Sequence, residues 1–237
     1  MRSVVVAALL TLSAASTALA ETRLVFANRS EGSTAATGES TVWLGAQKMR
    51  RDQGASTTLI RLDQKKLYVV QHAAKTYVEL DLPIDLLKAV PEAQRASITQ
   101  LAQAMQVTAK VTPGSERKTL GKDWKTRRYD IALSNPMGLA VDAVVWAGPV
   151  PGVDAAQFKL LTRTLAALMP GDGRWVEELM KIDGVPVLRE VTFKGSTTKN
   201  REELVQVETK PAPAGTFDLP TGYRKVDYNP MTAVSAF

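Results

Sequence analysis

The sequence contains no cysteine and a single histidine, His72, in 237 residues. Without cysteine there is no disulfide, thiol nucleophile, thiolate metal site or cysteine-linked lipid anchor, and zinc or copper lacks its usual ligands. Hydrolysis by a Ser-His-Asp arrangement would have to use His72. That residue falls in the short polar stretch His72-Ala73-Ala74-Lys75, with no G-x-S-x-G elbow in the chain, and reads as a solvated turn histidine. The acidic residues are scattered apart from Glu177-Glu178 and Glu202-Glu203, and side chains adjacent in a helix or strand point in different directions, so neither pair chelates a metal. No EF-hand pattern occurs. The segment GSERKTLGK, residues 114 to 122, is not in phosphate-loop order and reads as a hairpin loop. Beyond the first twenty residues no apolar run approaches the length of a membrane-spanning helix. Neither a catalytic centre nor a cofactor or metal site is expected.

What is present begins with a leader. Arg2, an apolar run from Val4 to Leu12 and the small-residue signature Ala18-Leu19-Ala20 form a secretory signal peptide pattern over residues 1–20. Cleavage after Ala20, a chain beginning at Glu21 and a periplasmic protein that is not a lipoprotein are the expectations. There are 30 Lys and Arg against 24 Asp and Glu, and the leader holds only Arg2, so the remainder carries 29 − 24 = +5. This mild excess favours anionic surfaces without being a nucleic-acid signature. The 237 − 20 = 217 residues left, 21–237, fit one domain able to bury its own core.

The stretch LIRLDQKKLYVVQHAAKTYVEL, residues 59 to 80, reads as three short strands joined by polar turns, hence an antiparallel meander. Its apolar and aromatic residues fall on both faces, so both faces need a cover. Earlier strands are expected near Glu21 to Asn28, Val42 to Leu44 and Lys48 to Arg51, and later ones at Val107 to Val111, Thr126 to Leu133, Ala140 to Trp146, Val187 to Lys194 and Glu203 to Lys210. Two helical insertions interrupt them. In the first, Ile98, Leu101, Ala102 and Met105 recur at helical spacing; in the second, Asp154 is an N-cap for a helix striped with Phe158, Leu161, Leu165 and Leu168. A shorter helix carries Trp175, Leu179 and Ile182.

Val42-Trp43, Arg50, Ile60, Leu62-Asp63, Lys66-Leu67-Tyr68, Lys75-Thr76-Tyr77, Gly184-Val185-Pro186 and the closing FDLPTGY, residues 217 to 223, resemble a bacterial envelope family of unknown function. That family is similar to the lipoprotein-localisation carriers of the LolA and LppX kind. The resemblance spans nearly all of the chain after the leader, and its motifs mark turns and strands, not chemistry. It implies an α+β fold, a strongly curved and mostly antiparallel open half-barrel with helices covering its concave face, able to accept acyl chains.

Two readings of function follow. The first is a soluble, non-catalytic periplasmic binding or carrier protein for a hydrophobic or acyl-chain ligand, lined by Leu101, Met105, Trp146, Phe158, Leu161, Leu165 and Trp175; for any single aromatic, a place in the core is the ordinary alternative. The second is an envelope structural or interaction module with a filled core. Its partner would be anionic and would meet the basic segment RKTLGKDWKTRR, in which Arg117, Lys118, Lys122, Lys125, Arg127 and Arg128 oppose only Asp123. An exposed, solvated hairpin is the plainer reading of the same segment.

Overall fold

In the computed structural model, residues 21–31, 38–104, 106–168 and 173–229 are described. The expected leader, residues 1–20, and Met105 lie outside them. Six strands follow in order: β1 (Glu21–Glu31), β2 (Gly38–Gly45), β3 (Lys48–Gln53), β4 (Ser56–Arg61), β5 (Lys66–Gln71) and β6 (Thr76–Asp81). Each is antiparallel to the next. The tight β3–β4 turn uses Gly54 at φ +55°, a conformation that favours glycine.

Strand alternation sorts this meander into two apolar rows. Met49, Ile60, Leu67 and Leu80 stand opposite one another on one face; Leu59, between Arg50 and Tyr68, stands on the other. Ile60 and Leu67 are completely buried and Leu59 is 1% exposed, so both faces are covered.

The chain then forms α1 (Leu86–Ala89), capped by the Asp85 side chain, and α2 (Glu92–Ala104), before β7 (Thr108–Leu120). A second meander returns: β8 (Trp124–Ser134), β9 (Ala140–Gly148), α3 (Ala155–Ala166), α4 (Arg174–Leu179), β10 (Val185–Phe193), β11 (Lys199–Lys210) and the short β12 (Arg224–Lys225). All strands belong to one open sheet in the order β12-β6-β5-β4-β3-β2-β1-β11-β10-β9-β8-β7, antiparallel except for β12 against β6. The architecture is an α+β half-barrel.

This order explains the helices. Because β6 and β7 belong to opposite ends of the sheet, their connection has to cross a face, and its Leu86, Val90 and Ile98 pack into the core on that face. There they meet Leu24, Ile60, Leu67 and Leu204 from the sheet and Leu161 and Leu168 from the region of α3. We call this the inner face.

The outer face of the first meander is covered by the carboxy-terminal segment after β11. Arg50 Nη1 donates to the Thr216 carbonyl and Arg61 Nη1 to that of Phe217, both at 3.0 Å, and Lys48 Nζ lies 4.5 Å from the centre of the buried Phe217 ring. Beyond β12 the chain reaches the inner core, where Tyr228 Oη donates to the Leu168 carbonyl at 2.9 Å. Helices on one side and this strap on the other are why residues 59 to 80 are apolar on both faces.

Two local expectations are corrected. β7 continues past Val111 to Leu120, so residues 114–120 are strand, with a register shift between Pro113 and Arg117, and only 121–123 form the turn. A bulge accommodates Pro113 within the strand. Nor is His72 a free turn residue. Its Nε2 is 2.8 Å from Thr57 Oγ1 and its Nδ1 2.9 Å from Tyr223 Oη, while the Thr57 hydroxyl donates to Asp52 at 2.5 Å. Thr57 is 1% exposed, so this chain of bonds fastens the strap to β4 and β5 and presents no accessible nucleophile.

Candidate ligand cavity and basic cleft

On the inner face of the second meander, Val145 stands between Tyr129 and Arg189, Ala143 between Ile131 and Val191, and Val141 beside Leu133. α3 and α4 cover these residues. Asp154 caps α3 as expected, its Oδ1 accepting from the Ala156 and Gln157 N–H groups at 2.8 and 3.3 Å. The cover is incomplete. Ile131, Ala143, Val145, Phe158, Leu179 and Ile182 line a cavity of about 190 Å³ between sheet and helices. A methyl-sized side chain at Ala143 leaves room that a larger residue would fill.

The rim is polar. Lys159 of α3 lies 3.9 Å from Asp183, in the turn after α4, and Arg163 of α3 is ion-paired with Glu177 of α4. Asp183 N–H donates to Tyr129 Oη at 3.1 Å, tying that turn to β8. Glu178 accepts from the Val111 N–H at 3.3 Å and also pairs with Lys181. The Lys181 ammonium first, then that N–H, hold the Glu178 carboxyl below its usual range. At the inner boundary between the meanders, Glu202 bonds Arg51 (3.0 Å) and the cavity-lining Arg189 (2.8 Å). Burial pushes the Arg51 guanidinium pKa down, against the opposing pull of Glu202.

Beside the cavity lies a larger open cleft of about 730 Å³, bordered by Arg117, Lys118, Lys125 and Arg127 with Tyr129 and Asp183 among the other walls. Gly184 borders both spaces. It adopts φ +89°, and a side chain there would come within 2.6 Å of the Gly148 backbone, so β9 and β10 can close at this point only on glycine.

Of the residues expected to line a pocket, Phe158 borders the cavity. Leu161 and Leu165 point from α3 into the main core, and Trp175 packs with Val107 and Val176, one layer behind the cavity-lining Leu179. Leu101 is half-buried on α2, away from the cavity. Trp146 stands opposite Arg128 and Leu188 on the outer face, since strand alternation puts it on the reverse of Val145 and Ala147; Lys118 Nζ is 5.6 Å from its ring centre. Of the basic residues, four line the cleft, Lys122 sits in the exposed 121–123 turn, and Arg128 is paired with Asp130 at 2.7 Å. The β8 to β10 lining escaped sequence reasoning because Ile131, Val145 and Val191 look like any strand core; only their alternation against Trp146 carried a signal.

No family model matches the chain, and no curated protein does. Among solved structures it is similar to PNGF-II, at 10% identity and a TM-score of 0.46 over 92% of this chain and 33% of that one. The chain thus spans about a third of the length of PNGF-II. It is also similar to a LolA superfamily protein from Nitrosomonas europaea, at 9% identity and a TM-score of 0.35 over 85% of this chain and 91% of that one. A DUF1329 family protein from Desulfovibrio piger gives 9% identity and a TM-score of 0.30 over 86% and 91%. At these identities and scores the likeness is one of architecture, and ligand and chemistry have to be argued from this chain's own geometry.

Proposed function

We propose that the protein is a non-catalytic binding or carrier protein of the periplasm, exported by residues 1–20, that holds a hydrophobic molecule with an acyl chain between its sheet and α3 and α4. The observation that supports this reading is the apolar cavity of about 190 Å³ over β8 to β10. An apolar void of roughly 150 Å³ stays dry and takes up a molecule the size of benzene. The cavity here differs in opening at a rim that carries Lys159, Thr162 and Arg189, but its walls are apolar and burial against them favours carbon over water. A long chain needs more space; Leu161 and Leu165 anchor α3 in the main core, so what can yield is the polar rim of that helix. Its ties to α4 and to the following turn are the ion pairs of Arg163 and Lys159, and such surface pairs contribute about 1 kcal/mol or less. Each methylene buried at that rim contributes about 0.8 kcal/mol, so a few carbons outweigh those two ion pairs while α3 stays seated in the core.

Native mass spectrometry of protein purified from a periplasm without detergent, with extraction of any bound lipid, tests this. A stoichiometric hydrophobic adduct is expected. A clean apo mass, together with no uptake of a fluorescent fatty acid, would overturn the carrier reading in favour of an interaction module.

A further inference from the structure

The cavity receives carbon; the cleft beside it is built for something else. Arg117, Lys118, Lys125 and Arg127 border it with one carboxylate, Asp183; the Lys118 ammonium lies against the outer-face Trp146 ring, so three cations face the cleft and the formal charge is 3 − 1 = +2. Among the described residues none of these four cations has a carboxylate within ion-pair distance, whereas Arg128, next in sequence, takes both Asp130 and Glu116. The arrangement also works against the fold, because Arg117 stands directly opposite Arg127 in the β7–β8 ladder, and like charges so placed repel. Arg127 is held in place even so. Its Nε donates to the Gly114 carbonyl at 2.9 Å and its guanidinium lies 5.7 Å from the Tyr129 ring centre. A repelling cluster that holds Arg127 in place and has no carboxylate within ion-pair distance among the described residues is complementary to an anion.

The two spaces adjoin. Gly184 borders both, and the Lys159–Asp183 pair joins a cavity-lining side chain to a cleft-lining one. We infer that the ligand is an anionic amphiphile, with its chain in the cavity and its carboxylate or phosphate headgroup among Arg117, Lys125 and Arg127. This rests on the carrier reading above. The headgroup also competes with Asp183 for nearby cations, so its arrival loosens the pair that closes the rim between α3 and the turn before β10.

The test uses delipidated protein and displacement of a fluorescent fatty acid by four probes: dodecanoate, dodecyl phosphate, uncharged dodecanol and inorganic phosphate. Both charged amphiphiles are expected to bind about tenfold more tightly than dodecanol at low salt. That advantage should shrink with added sodium chloride and fall below about threefold in an Arg117→Gln, Lys125→Gln double variant whose dodecanol affinity is unchanged. Lys122→Gln, in the exposed turn, serves as the control, and matched melting curves establish that the variants are folded. Equal binding of charged and uncharged chains, or a double variant with its full anionic preference, would overturn the headgroup inference and leave the carrier reading standing. Displacement by inorganic phosphate as strong as by dodecyl phosphate would overturn it in favour of a free-anion site. Failure of all three chain probes to bind would sink the carrier reading itself, and this inference with it.

Discussion

The two meanders share one sheet and one strand geometry, yet they are closed differently. Over β1 to β6 the inner face is covered by the crossing segment with α1 and α2, by α3 and by Tyr228, with a pocket of about 400 Å³ left at the β5–β6 edge beside Val69, Val78 and Tyr228, and the outer face is covered by the strap around Phe217. Over β8 to β10 the inner face keeps a cavity, and the cations of the neighbouring cleft have no ion-pair partner among the described residues. The ion-paired Arg51, Glu202 and Arg189 lie between the halves. The difference teaches that a half-barrel of this size can gather its large buried core over one half while the other sets an apolar cavity beside a basic cleft.

Substitutions can break that contrast, and the largest effect is expected in the main core of the first half. Leu24→Ala removes a completely buried side chain from the central strand and should cost about 4 kcal/mol in urea unfolding. If it costs no more than a cavity-lining change, that core is no better packed than the other half. Phe217→Ala strips the outer face of its anchor and should cost about 3 kcal/mol, with proteolysis appearing first in the strap after β11.

A smaller effect should come from Tyr228→Phe, which leaves the Leu168 carbonyl without its donor, at about 1 kcal/mol. The same tyrosine gives a pH signature. Burial pushes its phenol up to about 12, so the folded state keeps a proton that the unfolded chain releases near 10. Stability is unaffected below about pH 10 and falls as pH climbs toward 12, and the phenylalanine variant should lack that part of the alkaline loss. The smallest stability change is expected for Ala143→Leu, within about 1 kcal/mol of the parent, because the added carbons enter existing space; fatty-acid uptake should nevertheless disappear. A large destabilisation there, with uptake retained, would mean that the cavity is not the binding site.

Much of the scaffold was legible in the residues. The hairpin meander from 59 to 80, the Asp154 cap and the stripe of Phe158, Leu161, Leu165 and Leu168 all express periods of two or 3.6 residues, which are local properties of the backbone. The site was less so. Phe158 and the cations of 117 to 127 were visible, but Trp146 went to the outer face and Leu161 and Leu165 to the main core, because a large apolar residue carries no mark of which cover it will meet. His72 belonged with Thr57 and with Tyr223, the latter 151 residues away, a contact that no local pattern announces.

The sequence by itself determined where strands and helices form, that both faces of the first meander need burying, and that no thiol or histidine cluster is available for chemistry. Only the tertiary structure decided that helices cover one face and a strap the other, and that an apolar cavity lies beside a basic cleft. The physical reason is range: periodicity and capping act over a few residues, whereas filling a space depends on which distant side chains the sheet order brings against it.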